Sequence, residues 1–428
     1  MSDAPESLGP TFREMVRVFT RIGFLSFGGP AGQIALMHRE VVEERGWVDE
    51  GPYLRALNLC HLLPGPEAQQ LATWIGWRLH GTRGGLAAGL LFVIPGALIM
   101  LGLSILYALA AGVGWFAALF LGIKAAVLAI VVQAVIRIGK RALGTQFKLA
   151  LAVVAFLSLA LLSVPFPLVI FAAGLFGALA ARIEPDWLDA HAIDHDLTAL
   201  PKKRHLAVQT AKTVAIWLAV WALPLVLIAL TLGRGHVLWQ VGAFFSQLAV
   251  VTFGGAYAVL AYMAQAAVEQ FHWLAPGEMA DGLGLAETTP GPLILVTQFT
   301  GFLAAFRDAA PFSPLLAGTL GALVTLWVTF APCFLWIFAC APWMERLERM
   351  AGLQAALAAV TAAVVGVVAN LALWFGLHVL FPGERLEAFD WRAALIGVLA
   401  ALLLFRMKRG VIEVLAVSAL AGLLLGHL

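Results

Sequence analysis

The sequence has few charged residues for its length. Only 12% of its 428 residues are Asp, Glu, Lys or Arg, about half of the roughly 25% that is typical of soluble domains. The net charge of +2 is too small to indicate a nucleic-acid partner, and the three cysteines form neither a metal-spaced cluster nor a disulfide framework. With 61% hydrophobic residues and a mean hydropathy of +0.91, the chain has the composition of a membrane protein.

Apolar segments that are long enough to cross a bilayer recur along the whole chain. A membrane-spanning helix needs about 20 apolar residues, and thirteen segments approach or exceed that length. We therefore predict an all-α polytopic membrane protein with about thirteen transmembrane helices, at 12–38, 51–80, 84–111, 114–138, 146–162, 166–182, 211–232, 238–268, 277–306, 312–341, 352–379, 390–405 and 410–427.

The distribution of Lys and Arg predicts the orientation of the chain. If the N-terminus lies in the cytoplasm and the thirteen segments alternate, 19 of the 27 Lys and Arg residues fall on the cytoplasmic side and seven fall outside, while Lys124 lies within a segment. Cytoplasmic loops of membrane proteins carry an excess of these residues. We therefore expect a cytoplasmic N-terminus and a periplasmic C-terminus.

An internal repeat divides the chain into two halves. A shift of 226 residues places the Phe-Gly-Gly motif at 27–29 on that at 253–255 and the Pro-Gly-Pro motif at 64–66 on that at 290–292. Positions 26–66 then contain 14 identities in 41, which indicates a duplication. We predict a first transmembrane repeat at 1–182, a cytoplasmic linker at 183–208, an extra transmembrane helix at 209–235 and a second repeat at 236–428.

The extra helix inverts the second copy relative to the first. The loop at 39–50 is then expected outside and its copy at 269–276 inside. Transporters built from inverted repeats bind substrate between the halves near the bilayer midplane and work by alternating access. A duplication that only builds a larger scaffold is the alternative.

The matched motifs are sequences that interrupt a helix. Proline removes a backbone donor, and glycine lets the chain leave helical geometry. Each break creates a half-helix whose N-terminal N–H groups carry partial positive charge, so ends that meet near the pseudo-two-fold axis form an anion site. Harmless kinks are the alternative. The predicted substrate-binding residues are Ser26, Phe27, Gly28, Gly29, Pro64, Gly65, Pro66, Thr252, Gly254, Gly255, Thr288, Thr289, Pro290, Gly291 and Pro292.

Four ionisable residues lie within or beside these segments. Glu67 and Glu287 are candidate proton carriers, because an apolar cavity favours the neutral form of a carboxyl group. Lys124 is a candidate partner for one of them or for the anion, with snorkelling to the interface as the alternative. His61 aligns with Glu287 and is either a titratable ligand or an interhelical hydrogen-bonding residue.

At these motifs the sequence resembles the chromate ion transporter family, in its long two-domain form. The resemblance covers essentially the whole chain. The family resemblance implies efflux of chromate across the bacterial inner membrane, energised by the proton motive force as proton antiport, with sulfate as a similar anion and without a cofactor. The residues that carry it are FLSFGGP at 24–30, Trp47, LPGPEAQQLA at 63–72, GGLAAG at 84–89, FVIPG at 92–96, TFGG at 252–255 and TTPGP at 288–292.

Other functions remain open at this point. A carrier of sulfate or another oxyanion would need the same site, and a passive anion channel would need it without the titratable groups. A membrane enzyme or an ATP-driven pump is disfavoured, because the sequence has no nucleotide-binding fingerprint in a strand–helix context, no Walker loop and no metal or haem motif. The sequence leaves a homodimer open.

Overall fold

Every regular element that the structure describes is a helix. The computed structural model describes residues 9–27, 29–110, 113–188, 203–253, 256–347, 350–382 and 388–426. The all-α prediction is confirmed for these ranges. Their α-helices are α1 Phe12–Leu25, α2 Gly29–His38, α3 Glu50–Leu62, α4 Glu67–Ala110, α5 Gly114–Ala142, α6 Gln146–Ala160, α7 Phe166–Ile183, α8 Lys203–Thr231, α9 Val237–Val251, α10 Ala256–Gln265, α11 Pro276–Thr288, α12 Val296–Arg307, α13 Pro314–Cys340, α14 Met344–Leu347, α15 Ala351–Leu380, α16 Trp391–Ala401 and α17 Val411–Leu425.

Six of the described helices are long and apolar enough to cross a membrane. They lie in α4, α5, α7, α8, α13 and α15, and shorter apolar helices accompany them. The chain is therefore a multi-pass membrane protein. Its predicted linker at 183–208 lies mostly outside the described residues, but its last residues are helical because α8 begins at Lys203.

The predicted crossing at 12–38 is two half-helices that reverse direction. In a straight helix Arg21 and Glu40 would lie about 28 Å apart. Arg21 Nη1 instead lies 3.5 Å from Glu40 Oε1. A π-helical turn at Arg39–Glu43 continues α2 back to the face at which α1 began. We call this face the N-terminal face and the opposite one the C-terminal face.

The segment at 51–80 reverses in the same way. Glu50, at the start of α3, lies 2.7 Å from His38 at the end of α2, so α3 enters the protein from the N-terminal face. The first arm of α4 returns to that face, where the ring of His80 lies 5.6 Å from that of Phe12. At His80 and Gly81 the backbone leaves helical geometry, and a second arm, 82–110, crosses to the C-terminal face.

The predicted crossings at 238–268 and 277–306 are also reversing pairs. Phe244 of α9 contacts Trp273, which follows α10, with ring centroids 5.7 Å apart. Glu278 at the start of α11 accepts a hydrogen bond of 3.0 Å from Arg307 at the end of α12. The count of thirteen crossings is therefore not confirmed, because four of them are helical hairpins that enter and leave on one face.

The two sets of hairpins enter from opposite faces, as the inverted repeat requires. Trp77 and Thr82, on either side of the bend between the two arms of α4, and Thr210, near the start of α8, line one cavity at the N-terminal face. The 29 residues of α8 span about 43 Å, so α9 begins at the C-terminal face. The expectation that the loop at 39–50 faces away from the N-terminus is therefore wrong, and its copy at 269–276 lies on the C-terminal face.

Backbone contacts repeat at the interval found in the sequence. The Trp47 N–H donates to the Val41 carbonyl at 2.8 Å, and the Trp273 N–H donates to the Ala267 carbonyl at 2.8 Å. Donors and acceptors in the two copies are each 226 residues apart. A π-helical turn precedes the tryptophan in both copies, at Arg39–Glu43 and Ala266–Gln270.

Each copy packs its peripheral helices on the long helix of the other. α6 and α7 contact α15, while α16 and α17 contact α5. Small residues allow this close approach. A side chain at Gly177 of α7 would collide with Ala359 of α15, and one at Gly122 of α5 would collide with the backbone of Ser418 in α17.

Candidate functional site

The four breaks meet in the centre of the protein as two reciprocal pairs. The Gly65 N–H donates to the Thr252 carbonyl at 2.8 Å, and the Gly291 N–H donates to the Ser26 carbonyl at 2.8 Å. Each Pro-Gly-Pro motif therefore binds the Phe-Gly-Gly break of the other copy. Gly65 and Gly291 have φ values of +119° and +91°, a region that residues with a Cβ rarely adopt.

A tight turn explains how the chain reverses at each Phe-Gly-Gly motif. The Phe27 N–H donates to the Leu25 carbonyl at 2.9 Å, and the Phe253 N–H donates to the Val251 carbonyl at 3.0 Å. The residues between them, Ser26 and Thr252, have φ/ψ of −76°/65° and −78°/80°, which are those of an inverse γ-turn. The predicted site residues Gly28, Gly254 and Gly255 lie outside the described residues.

The predicted hydroxyl groups already have acceptors. Ser26 Oγ donates to the Ile22 carbonyl and Thr252 Oγ1 to the Leu248 carbonyl, both at 2.6 Å. Thr288 Oγ1 and Thr289 Oγ1 likewise donate within α11, at 2.8 and 3.0 Å. None of the four hydroxyl groups therefore directs a hydrogen towards an anion in this conformation.

Two buried glutamines bind the carbonyl groups that the breaks leave free. Gln33 Nε2 donates to the Gly291 carbonyl at 2.6 Å. Gln70 Nε2 donates to the Pro64 carbonyl at 2.7 Å. Gln70 belongs to the LPGPEAQQLA motif, but Gln33 was not predicted. An amide side chain within an otherwise apolar half-helix is the sequence signal that could have identified it, because buried amides need hydrogen-bond partners.

A cavity of about 360 Å³ lies beside the breaks. Its wall contains the first residues of three half-helices: Pro30 and Ala31 of α2, Glu67 of α4, and Ala256 and Tyr257 of α10. N–H groups in the first turn of a helix have no partner within that helix. Three of the four predicted helix ends therefore converge on one cavity, while the fourth, after Pro292, is not part of its wall.

Two arginines, Arg137 and Arg141 near the end of α5, complete this cavity. Both are exposed to it. They lie one turn apart on one side of α5, which suits them to bind one anion. The sequence alone predicts only that both are charges at the cytoplasmic end of a membrane segment, because Arg at the end of an apolar segment is typical of a membrane border.

The cavity is reached from the N-terminal face through a larger one. That vestibule of about 760 Å³ shares Pro30, Ala31, His61, Glu67 and Arg141 with the smaller cavity. Its outer wall contains charged residues of the N-terminal face, namely His38, Arg39, Glu43 and Glu50.

The two predicted carboxyl groups lie near this cavity in different surroundings. Glu67 lines it, and its Oε1 lies 3.9 Å from Nδ1 of His61, so the two form an ion pair when the histidine is protonated. Glu287 is buried next to the cavity wall and accepts a hydrogen bond of 2.5 Å from the Tyr257 hydroxyl. Arg137 interacts electrostatically with the Glu287 carboxylate.

Lys124 is not brought together with either glutamate. Its Nζ lies 3.3 Å from Oδ2 of Asp281 in α11, and the Tyr107 hydroxyl donates to the same oxygen at 2.7 Å. Along α5, Lys124 precedes Arg137 by 13 residues, about 20 Å, on the side of the C-terminal face. Asp281 was not predicted, although an acidic residue within a membrane segment is a functional signal.

The pattern of sequence similarity agrees with this two-part architecture. The family model for the chromate transporter matches residues 13–178 and 239–423, one stretch in each half.

Among the described residues, no cluster of histidine, cysteine and acidic side chains is arranged to hold a metal ion.

Curated proteins resemble the chain over almost its full length. The chromate transport protein of Pseudomonas aeruginosa is 30% identical over 416 residues, which cover 96% of this chain and 92% of that protein. The chromate transport protein of Cupriavidus metallidurans is 28% identical, covering 93% of this chain and 89% of that protein. The protein named Probable chromate transport protein in Synechococcus elongatus is 27% identical, covering 97% and 95%. No solved structure matches the chain. On the match of the family model to both halves, the chain belongs to the chromate transporter family.

Proposed function

We propose that this protein is a secondary transporter that exports chromate across the bacterial inner membrane, coupled to protons, by alternating access between its inverted repeats. One observation carries the proposal: the first turns of three half-helices and two arginines surround one cavity that opens to one face. The relatives named chromate transport protein support chromate as the substrate.

The chemistry of the cavity suits a tetrahedral dianion. The N-terminus of a helix carries a partial positive charge and unpaired N–H donors. The guanidinium groups of Arg137 and Arg141 add paired donors in a fixed plane, and these match the oxygens of an oxyanion. The N–H groups at the helix N-termini are fixed in the backbone, so they do not move with the ion and also permit its release.

The conformation suits loading from the N-terminal face. α11 is buried continuously from residue 279 to residue 287. Its counterpart α3 lines the vestibule. If α3 became buried as α11 is now, and α11 became open as α3 is now, the N-terminal face would close and the C-terminal face would open. With a cytoplasmic N-terminus, the cavity collects its anion from the cytoplasm, as an exporter requires.

Glu67 and Glu287 supply the proton-binding groups in this proposal. Both are acidic side chains within membrane segments, where ionisable residues are costly and usually functional. A passive channel would need neither group, and it would need an open path to both faces. Sulfate has the same shape and charge as chromate, so a sulfate transporter is the second candidate.

Flux of radiolabelled chromate into proteoliposomes tests the proposal. We expect an imposed pH gradient to change the rate of chromate movement and excess sulfate to compete with it. Arg137→Gln should remove most of the flux, while Arg39→Gln, at the mouth of the vestibule, is the matched control. Flux that ignores the gradient would favour a channel, and flux of sulfate alone would replace the substrate.

A further inference from the structure

A buried carboxylate and the open cavity share one arginine. Glu287 is buried in α11, beside the Pro-Gly-Pro motif, and the Tyr257 hydroxyl donates to its Oε1 at 2.5 Å. Arg137 interacts electrostatically with Glu287 and also interacts with Tyr257, whose ring is part of the cavity wall. The guanidinium group therefore lines the accessible cavity and lies within electrostatic range of the Glu287 carboxylate.

The charged groups around this carboxylate come from four helices. Arg137 and Arg141 belong to α5, and Tyr257 belongs to α10. Glu67 of α4 and His61 of α3 line the opposite part of the cavity and interact with each other. The other acidic residues of α11, Glu278 and Asp281, lie towards the C-terminal face and are paired with Arg307 and Lys124. In the described part of the chain, Arg137 is thus the cation that interacts with Glu287.

An oxyanion and the Glu287 carboxylate compete for this arginine. An anion that binds Arg137 in the cavity lies close to an ionised carboxylate, and the repulsion between them is strong where water is scarce. Protonation of Glu287 removes the repulsion and leaves the Arg137 donors to the anion. The Tyr257 hydroxyl remains a partner for the carboxyl group, because it can accept as well as donate a hydrogen bond.

We propose that Arg137 is the side chain that binds the tetrahedral oxyanion and that Glu287 is its internal competitor, so that one proton binds to Glu287 when the oxyanion binds. This inference rests on the proposed function and specifies its coupling. Proton and chromate then travel in the same direction, which differs from the antiport that the family resemblance implies. A dianion transported together with one proton still carries a net negative charge, and an inside-negative membrane potential favours the export of that charge.

Binding of radiolabelled chromate to the purified full-length protein in detergent tests this inference, over a pH range in which chromate stays a dianion. In the wild type we expect affinity to fall as pH rises, by up to about tenfold per pH unit when one proton accompanies each anion. Glu287→Gln should bind chromate with the same affinity throughout, and at the highest pH about tenfold or more tightly than the wild type.

Two further variants keep the test independent of how well Glu287→Gln folds. Tyr257→Phe removes the donor that stabilises the ionised carboxylate, so chromate binding should persist to higher pH than in the wild type. Glu43→Gln, the same substitution at the mouth of the vestibule, should keep the wild-type pH dependence.

The possible outcomes separate this inference from the proposed function. The inference is wrong if wild-type affinity does not depend on pH or if Glu287→Gln keeps the wild-type pH dependence. It is also wrong if Glu67→Gln alone abolishes the pH dependence of binding. In each case chromate transport would stand. A pH indicator inside proteoliposomes should show protons moving with chromate, and protons moving against it would also overturn the inference. A wild-type protein that neither binds nor transports chromate would overturn the proposed function and this inference with it.

Discussion

The two copies of the repeat have equivalent helices but different surroundings. In α11 of the second copy every residue from 279 to 287 is buried. In α3, the equivalent helix of the first copy, only Tyr53, Ala56, Leu59 and Cys60 are buried. Helices of equal length and equivalent position are thus enclosed at one face and open to a cavity at the other. This difference is what the proposed alternating access predicts for a conformation that is open to the N-terminal face.

Specific contacts enclose α11 on the closed side, which is the side of the C-terminal face. α5 lies against α11, where a side chain at Gly284 would collide with Ile123 and where Lys124 pairs with Asp281. The position equivalent to Asp281 in the first copy is Arg55. The ion pair therefore has no equivalent at the open side, and the two closed states of the transporter would be held by different interactions.

The largest effect is expected where the breaks of the two copies bind each other. Gly65→Val should abolish chromate flux, because a positive φ costs a residue with a Cβ about 1–3 kcal/mol. The new Cβ would also lie 2.9 Å from Cys333 Sγ and from Gln70 Nε2. Flux into proteoliposomes is the measurement.

Gly291, the equivalent glycine of the second copy, sharpens this prediction. The nearest atoms to a Cβ at Gly291 lie 3.4–3.6 Å away, so Gly291→Ala should keep more flux than Gly65→Ala, although Gly291→Val should still impair transport. Gly102, with no atom within 4 Å of its Cβ position, provides the control Gly102→Val. Normal flux in both valine variants would contradict the role of the breaks.

A slightly smaller effect is expected from removing the ion pair of the closed side. Asp281→Asn leaves Lys124 without its carboxylate partner on the closed side, so it should favour the state that is open to the C-terminal face. A cysteine placed at the buried Leu285, in a protein without its three natural cysteines, reports this state. Labelling by an impermeant thiol reagent from the C-terminal face should become about tenfold faster or more.

The neighbouring pair between Glu278 and Arg307 is the control. It is more exposed than the Lys124–Asp281 pair, and exposed pairs contribute about 0–1 kcal/mol. Glu278→Gln should therefore change the labelling rate much less. Exchanging the charges, with Lys124→Asp and Asp281→Lys together, should restore slow labelling, and fast labelling in the exchanged protein would argue against an ion-pair latch.

An intermediate effect is expected from the carboxyl group of the open side. Glu67→Gln removes a titratable group but keeps its size, so it should slow coupled transport several-fold and change chromate binding less. The measurements are the pH dependence of the flux and the affinity for chromate. A flux with the pH dependence of the wild type would exclude Glu67 as a proton carrier.

The smallest effect is expected from the hydroxyl groups next to the breaks. Ser26→Ala and Thr252→Val remove hydroxyl groups that donate within their own helices. Chromate affinity should change by less than about twofold, which is less than about 0.4 kcal/mol. A tenfold loss in equilibrium binding would mean that these groups turn towards the anion in another conformation.

The sequence predicted the duplication and the breaks because both depend on local signals. Glycine and proline motifs at an interval of 226 residues require no knowledge of the fold. It did not predict the reversal at each break, because an apolar segment such as 12–38 has the same length whether it forms one crossing or two half-helices. The contact between Arg21 and Glu40, two charges 19 residues apart, and the tight turn at Ser26 distinguish the two.

The sequence predicts the backbone breaks beside the candidate cavity but does not single out the two arginines that line it. Arg137 and Arg141 lie at the end of an apolar segment, where arginine also marks the membrane border. Their role depends on how deeply α5 enters the protein and on which helices face it, and neither follows from one segment. Lys124 was recognised, but its partner Asp281 lies 157 residues later and is identified by the packing of α5 on α11.

Chromate counterflow tests the central claim, a carrier whose cavity opens to one face at a time, most directly. Proteoliposomes loaded with unlabelled chromate are diluted into a trace of labelled chromate, with no gradient of pH or potential. A carrier exchanges one ion for another, so labelled chromate should accumulate transiently above its external concentration. Labelled chromate that only equilibrates, without this overshoot, would contradict alternating access and indicate a channel.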